Sequence, residues 1–84
     1  MITVNLPASL HPLAGGPSML VRESVSTVGQ LIAAVDRLAP GIARELDDPL
    51  YNIAINDEIL LHSVESRAVK DGDVVEVIPT MAGG

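Results

Sequence analysis

Apolar and polar residues alternate at the start of the chain. Ile2, Val4 and Leu6 are separated by single polar residues, and this period of two predicts a half-buried β-strand. Pro7 ends the strand, because proline has no N–H to donate to a ladder. The first predicted element is therefore a strand with one face toward a core.

Residues 7–18 interrupt the pattern with three prolines and the pair Gly15-Gly16. This composition predicts a long hairpin loop. Residues 19–23 then predict a second strand, antiparallel to the first, since a hairpin connection needs no crossover.

The pattern changes to a helical period after the second strand. Thr27 and Gln30 have capping-box spacing, which predicts a helix N-terminus at this point. A single apolar stripe follows, formed by Val28, Leu31, Ile32, Val35 and Leu38. Its spacing fits one helix face packed on a core. Pro40-Gly41 ends this helix, and residues 42–46 predict a short further helical turn.

The second half of the chain returns to extended patterns. Residues 52–56 predict a strand, residues 57–58 a turn and residues 59–61 a short extended piece. Asp71-Gly72-Asp73 is a strong turn signal. The β-branched residues 74–78 after it predict a final strand.

The order of these elements predicts an α+β protein of two layers, with one main helix on one face of a mixed sheet. The first and last strands are the more apolar ones, which favours central positions for them. A right-handed crossover through the helix then gives a β-grasp, or ubiquitin-like, layout. We expect residues 1–78 to form this domain and residues 79–84 to form a flexible C-terminal tail.

Composition and charge narrow the possible partners. The 84 residues are 48% hydrophobic with one aromatic residue, and they carry a net charge of −6. An acidic chain without aromatic platforms is a poor match for nucleic acid or anionic membranes and favours a partner with a basic face.

Cysteine is absent, so no disulfide or thiolate site is expected. No signal peptide or membrane span is evident, and we expect a cytoplasmic protein.

Side chains suited to catalysis or metal binding are scarce. His11 and His62 have no motif around them, and a lone histidine is weak evidence for a metal or a base. The acidic residues at 47–48, 57–58 and 71–73 lie in predicted turns, where aspartate caps local backbone. We expect no catalytic side chain and no metal site.

The C-terminal pair Gly83-Gly84 has a chemical interpretation. With glycine at about 7% of residues, such a pair ends about one protein in 200 by chance. Glycine has no Cβ, so this end can lie extended in a narrow channel and bring its α-carboxylate into another protein's active site. A carboxylate becomes an electrophile only when its oxygen is a leaving group, which suggests activation by a partner that uses ATP. The plain alternative is a frayed terminus.

Three segments together resemble a known family. They are residues 52–58, residues 70–79 and the Met81-Ala82-Gly83-Gly84 end, and nearly the whole chain is similar to the ubiquitin-like sulfur carriers. That family includes the small subunit of molybdopterin synthase, the thiamine-thiazole sulfur carrier and the carrier used for cysteine synthesis. The resemblance implies a sulfur carrier protein, not an enzyme.

The resemblance to this family implies that the reaction site is the C-terminus of the chain itself. It implies that a ubiquitin-activating-type enzyme uses ATP to adenylate Gly84, beside Gly83, and that the carboxylate becomes a thiocarboxylate. The carrier itself binds no cofactor, and it is expected to be a monomer when free. Its partners would be the adenylating enzyme and a sulfur-accepting biosynthetic enzyme.

The remaining expected site residues present the tail or dock the partners. The tail is presented by Pro79, Thr80, Met81 and Ala82. Alternation with inward Val75 and Val77 makes a docking face of residues expected to point outward, together with the acidic turns: Val74, Glu76, Ile78 and Ala54.

The sequence of the first strand helps to distinguish between the types of sulfur carrier. Molybdopterin-type subunits usually carry phenylalanines in the first strand and before the terminal proline, and this chain has none. The Asn5-Leu6-Pro7 opening with the loop after it, and residues 52–58, are more similar to the cysteine-synthesis carrier. We favour this type or a carrier specific to another pathway, such as one for a secondary metabolite, which would look the same. The alternatives are the molybdopterin synthase subunit, a ubiquitin-like modifier conjugated through Gly84, and an interaction module with an idle tail.

Overall fold

The structure is a computed structural model and describes residues 1–47 and 49–80. The elements follow in this order: β1 (Ile2–Asn5), a 3-10 turn (Ala8–Leu10), α1 (His11–Ala14), β2 (Ser18–Val21), α2 (Val28–Leu38), α3 (Ile42–Leu46), β3 (Tyr51–Ile55), β4 (Glu58–Ile59), a second 3-10 turn (Val64–Ser66) and β5 (Val74–Pro79).

The five strands form one mixed sheet in the order β2-β1-β5-β3-β4. β1 and β5 run parallel, with Val4 opposite Val75, and the other neighbours are antiparallel. The parallel pair requires a crossover, and the segment that contains α2 supplies it. The predicted β-grasp fold is confirmed, including the inner positions of the first and last strands.

The core lies between the sheet and α2. Its buried side chains are aliphatic, because the chain has one tyrosine and neither phenylalanine nor tryptophan. The largest fully buried ones are Leu31, Ile42, Val21, Val28, Val35 and Val75. Within residues 1–47 and 49–80, no helix is long and apolar enough to cross a bilayer.

The N-terminus of α2 is capped as its sequence predicts, with one difference. The N–H of Gln30 donates to Oγ1 of Thr27 at 3.2 Å. The returning bond to the Gln30 side chain comes from the N–H of Ser26 at 2.8 Å, one residue earlier than in the usual capping box. Two amide groups at the helix entrance are thereby satisfied.

Two sequence predictions about these elements were wrong. Residues 7–18 contain a 3-10 turn and α1 instead of a plain loop, since His11-Pro12 places proline at a first-turn position where helices tolerate it. Leu38, assigned to the buried stripe, is 60% exposed. α2 ends there, and Ala34 lies in the core in its place.

Candidate functional site

The tail leaves the sheet at the end of β5. Pro79 is still a strand residue, opposite Tyr51 of β3, one position beyond the domain boundary predicted from sequence. The N–H of Thr80 donates to the carbonyl of Leu50 at 2.7 Å. The first two residues of the predicted tail are therefore bonded or paired to the neighbouring segment.

The register of the sheet explains why proline is accepted at this strand position. At the two ends of the β3–β5 ladder, Asn56 bonds to Val74, and Leu50 bonds to Thr80 just after β5, so the residues on the β5 side that bond toward β3 are even-numbered. Pro79 therefore points its nitrogen away from β3. On that other side β1 pairs with β5 only as far as Glu76, so the missing N–H leaves no bond unmade.

A side-chain hydrogen bond braces the strand beside the tail. The hydroxyl of Tyr51 and Oγ of Ser9 share a bond of 2.8 Å. It joins the first connection of the chain to β3, directly opposite Pro79. The residues that carry the tail are thus held by β3 and, through Tyr51, by the 3-10 turn.

The other residues assigned to the tail, Met81 to Gly84, lie outside the described residues. This includes the two expected reaction-site residues, Gly83 and Gly84. Of the acidic turn residues, Asp48 also lies outside them.

The other end of β5 is fixed by a polar network around Asp73. Its carboxylate accepts a bond from the backbone N–H of Lys70 at 2.9 Å and one from Nδ2 of Asn56 at 3.0 Å. The Asn56 side chain in turn accepts the N–H of Val74 at 2.9 Å. The Lys70 amide, together with Asn56, holds the pKa of the Asp73 carboxyl below its ordinary value, although burial opposes this.

This network connects three segments at one point. Asn56 follows β3 and Lys70 begins the turn before β5, while the N–H of Thr3 in β1 bonds to the carbonyl of Asp73 at 3.2 Å. β5 is therefore anchored on both sides before it runs toward the tail. A strand held this way can present its C-terminal extension from a defined position.

The sheet face opposite α2, which we call the outer face, carries three of the four predicted docking residues. Val74 is exposed, and Glu76 and Ile78 are partly exposed, whereas Val75 and Val77 between them are buried. The inward and outward assignment of β5 is therefore confirmed.

Ala54 is a correction to the predicted docking face. The strand alternation places Ala54 on the outer face, but only 1% of its surface is exposed. It lies between Glu76 of β5 and Ile59 of β4 in the sheet register. Its side chain is a single methyl group between two longer ones, and with so little exposed surface Ala54 is not a docking residue.

Sequence reasoning missed two apolar residues of the outer face. Ile59, opposite Ala54, and Leu20, in the row of Thr3 and Val74, are each half exposed. Both lie in short strands, and the register with the neighbouring strand decides on which face of the sheet their side chains lie. The alternation of β5 alone could not assign them.

One histidine and two of the acidic turn residues have structural partners. Nε2 of His11 bonds to the carbonyl of Leu6 at 2.9 Å. Arg67 pairs with Glu58 at 2.6 Å, and Asp71 pairs with the amino terminus.

Comparison with known proteins places the whole chain in one group. The model of the ThiS family matches residues 4–84. The sulfur carrier protein CysO of Mycobacterium tuberculosis is 35% identical, with 99% of this chain and 98% of that protein covered.

Two solved structures show the same fold at more than 25% identity. The crystal structure of Mycobacterium tuberculosis CysO has a TM-score of 0.85 and 31% identity, covering 95% of this chain and 99% of that one. The CysO chain of the Amycolatopsis orientalis BexX/CysO complex has a TM-score of 0.87 and 30% identity, with both chains fully covered. The likeness reaches the full length of the domain.

Proposed function

The chain belongs to the ThiS family, and from this premise we propose that it is a sulfur carrier protein of the cysteine type. The observation that carries the proposal is the match over 99% of the chain to a carrier named CysO. The alternative of a molybdopterin synthase subunit is not favoured by relatives at this identity. The absence of phenylalanine in β1 points the same way.

We propose that the sulfur travels on the carboxylate of Gly84. The carboxylate oxygen attacks the α-phosphorus of ATP, and the products are an acyl-adenylate and pyrophosphate. A sulfide then adds to the acyl carbon, and AMP departs with the bonding electron pair. The resulting thiocarboxylate carries its charge largely on sulfur, which makes it a nucleophile toward an acceptor. ATP and sulfide are supplied through the partner enzyme.

In this chemistry the chain presents its C-terminus to the partner enzyme and supplies no catalytic side chain. Thr80, bonded to Leu50, defines where the tail begins. Glycine at positions 83 and 84 lets the terminus enter a channel that excludes side chains. The backbone contact of His11 and the turn position of His62 support the view that neither histidine takes part.

The outer face is the proposed docking surface for the enzymes that load and unload the tail. Val74 and Ile78 supply apolar area on either side of the Glu76 carboxylate, and Ile59 extends it beyond Ala54. This chemistry suits a partner that combines aliphatic groups with a cation. The Amycolatopsis relative was crystallised in a complex with BexX, which supports binding of such a carrier to a partner protein.

The test is the intact mass of the protein after incubation with ATP, sulfide and a candidate ubiquitin-activating-type enzyme. We expect a mass increase that matches one oxygen replaced by sulfur. The variant that lacks Gly84 should show none, and Glu76→Arg should slow loading without changing the size of the mass increase. Unchanged mass of the wild-type chain, together with no ATP–pyrophosphate exchange by any such enzyme, would overturn the proposal.

A further inference from the structure

The sheet has two edges within the described residues, and they differ in length. β4 at one edge has two residues, too short to pair with another strand over any distance. β2 at the other edge has four, Ser18–Val21. The β2 edge is therefore the one able to accept a further strand.

The register shows which backbone groups of β2 point away from β1. The N–H of Leu6 bonds to the carbonyl of Pro17 at 2.8 Å, and each residue of β1 faces the β2 residue given by this register. In an antiparallel ladder, bonded pairs alternate with unbonded ones. Met19 and Val21 therefore bond to β1, whereas Ser18 and Leu20 direct their N–H and carbonyl groups away from the sheet.

β2 itself carries none of the side chains that usually protect an exposed strand. Those are lysine, other charged residues and proline, and the segment reads Ser-Met-Leu-Val. Leu20 instead exposes half of its surface next to the two outward backbone groups. An apolar side chain beside unpaired donors and acceptors is the arrangement by which sheets bind extended peptides.

The charge next to this edge is positive, although the whole chain carries −6. Arg22 follows β2 and is exposed. The carboxylates around it are already engaged, since Glu23 pairs with Arg37 and Asp71 with the amino terminus. Within residues 1–47 and 49–80, no ion pair includes Arg22.

We propose that the β2 edge binds an extended segment of a partner protein as an additional antiparallel strand. In the bound segment, the residue opposite Leu20 exchanges two backbone hydrogen bonds with Leu20. The segment residue two positions later does the same with Ser18. The residue two positions earlier lies opposite Arg22 on the same face. The segment therefore carries an acidic residue, any residue and an aliphatic residue, in that order.

This surface goes beyond the proposed carrier function and is separate from the tail. β1 lies between β2 and β5, so a strand on the β2 edge leaves Thr80 and the end of β5 uncovered.

The probe is the acetylated and amidated peptide Thr-Glu-Thr-Ile-Thr-Thr, with a matched peptide in which lysine replaces glutamate. Binding is followed by amide chemical shifts of the ¹⁵N-labelled full-length protein. We expect the largest shifts at Ser18, Leu20 and Arg22, and tighter binding of the glutamate peptide. Arg22→Glu should reverse the preference between the two peptides.

The backbone part of the proposal is tested at Leu20. Leu20→Pro removes an outward N–H without touching the bonds to β1, and should weaken binding about tenfold or more. Leu20→Thr keeps the N–H and should weaken binding less. Circular dichroism confirms that each variant is folded, and if Leu20→Pro is not, the Arg22→Glu result decides. Shifts confined to β5, equal binding of both peptides, or no binding of the glutamate peptide would overturn the proposal.

Discussion

Replacing Asp73 by alanine tests whether the polar network at the start of β5 stabilises the fold. Asp73 is only 6% exposed, and its carboxylate is the acceptor for the Lys70 amide and the Asn56 side chain. Asp73→Ala removes both acceptors at once. Two donors are then left beside a cavity of about one carboxylate.

The expected loss follows from those two bonds. A buried donor left without a partner costs about 1–3 kcal/mol. Lys70 and Asn56 are themselves exposed residues, so water can replace part of each bond. We therefore expect Asp73→Ala to lower the free energy of unfolding by about 2–3 kcal/mol.

The assay is urea unfolding of the full-length protein, followed by far-UV circular dichroism and by the fluorescence of Tyr51, the sole aromatic residue. The matched control is Asp71→Ala in the same turn. Asp71 is 84% exposed and pairs with the amino terminus, and an exposed ion pair contributes at most about 1 kcal/mol. Equal losses for the two variants would refute the reasoning.

The same carboxylate predicts a pH dependence. Because the folded-state pKa of Asp73 lies below its ordinary value of 3.8, its contribution is fully present above that value and is lost as the pH falls through the folded-state pKa. The wild-type protein should therefore lose more stability on acidification than Asp73→Asn. Parallel acid-unfolding curves for the two proteins would contradict this sign.

Two further predictions concern α2. Thr27→Ala removes the oxygen that caps the helix and should lower the free energy of unfolding by about 1 kcal/mol, whereas Thr27→Ser should restore most of it; urea midpoints of the three proteins measure this, and equal midpoints would rule out a capping role. Leu31→Ala should cost about 2–5 kcal/mol because Leu31 is fully buried, and Leu38→Ala only about 0.5 kcal/mol. Thermal unfolding compares the two, and similar losses would contradict the burial pattern.

Local signals in the sequence were sufficient for most of the fold. The Thr27 cap and the alternation of β5 depend on neighbours within a few residues, and both are confirmed. Leu38 and Ala54 were misassigned for a different reason. Whether a residue near a helix end or a small residue in a strand is exposed depends on which segments lie beside it, and that is settled only by packing.

In the candidate site, too, some features follow from the local sequence and others depend on packing. The prediction of a reaction site at Gly83-Gly84 rests on the residue type itself, and these positions lie outside the described residues. The bond of Thr80 to Leu50 was not predictable, since it joins two backbone groups of no particular sequence. The exposure of Ile59 was missed for a similar reason, because it is set by its position opposite Ala54.

The bond between Thr80 and Leu50 also sets a length scale for any partner. Four residues follow Thr80, and fully extended they span at most about 14 Å. A reactive centre within this depth below the partner's surface is reached only when the two surfaces meet, and a deeper one is out of reach. For the proposed reaction at Gly84, the shape of the folded domain would therefore contribute to the choice of enzyme, because the partner has to bind the domain close to its reactive centre.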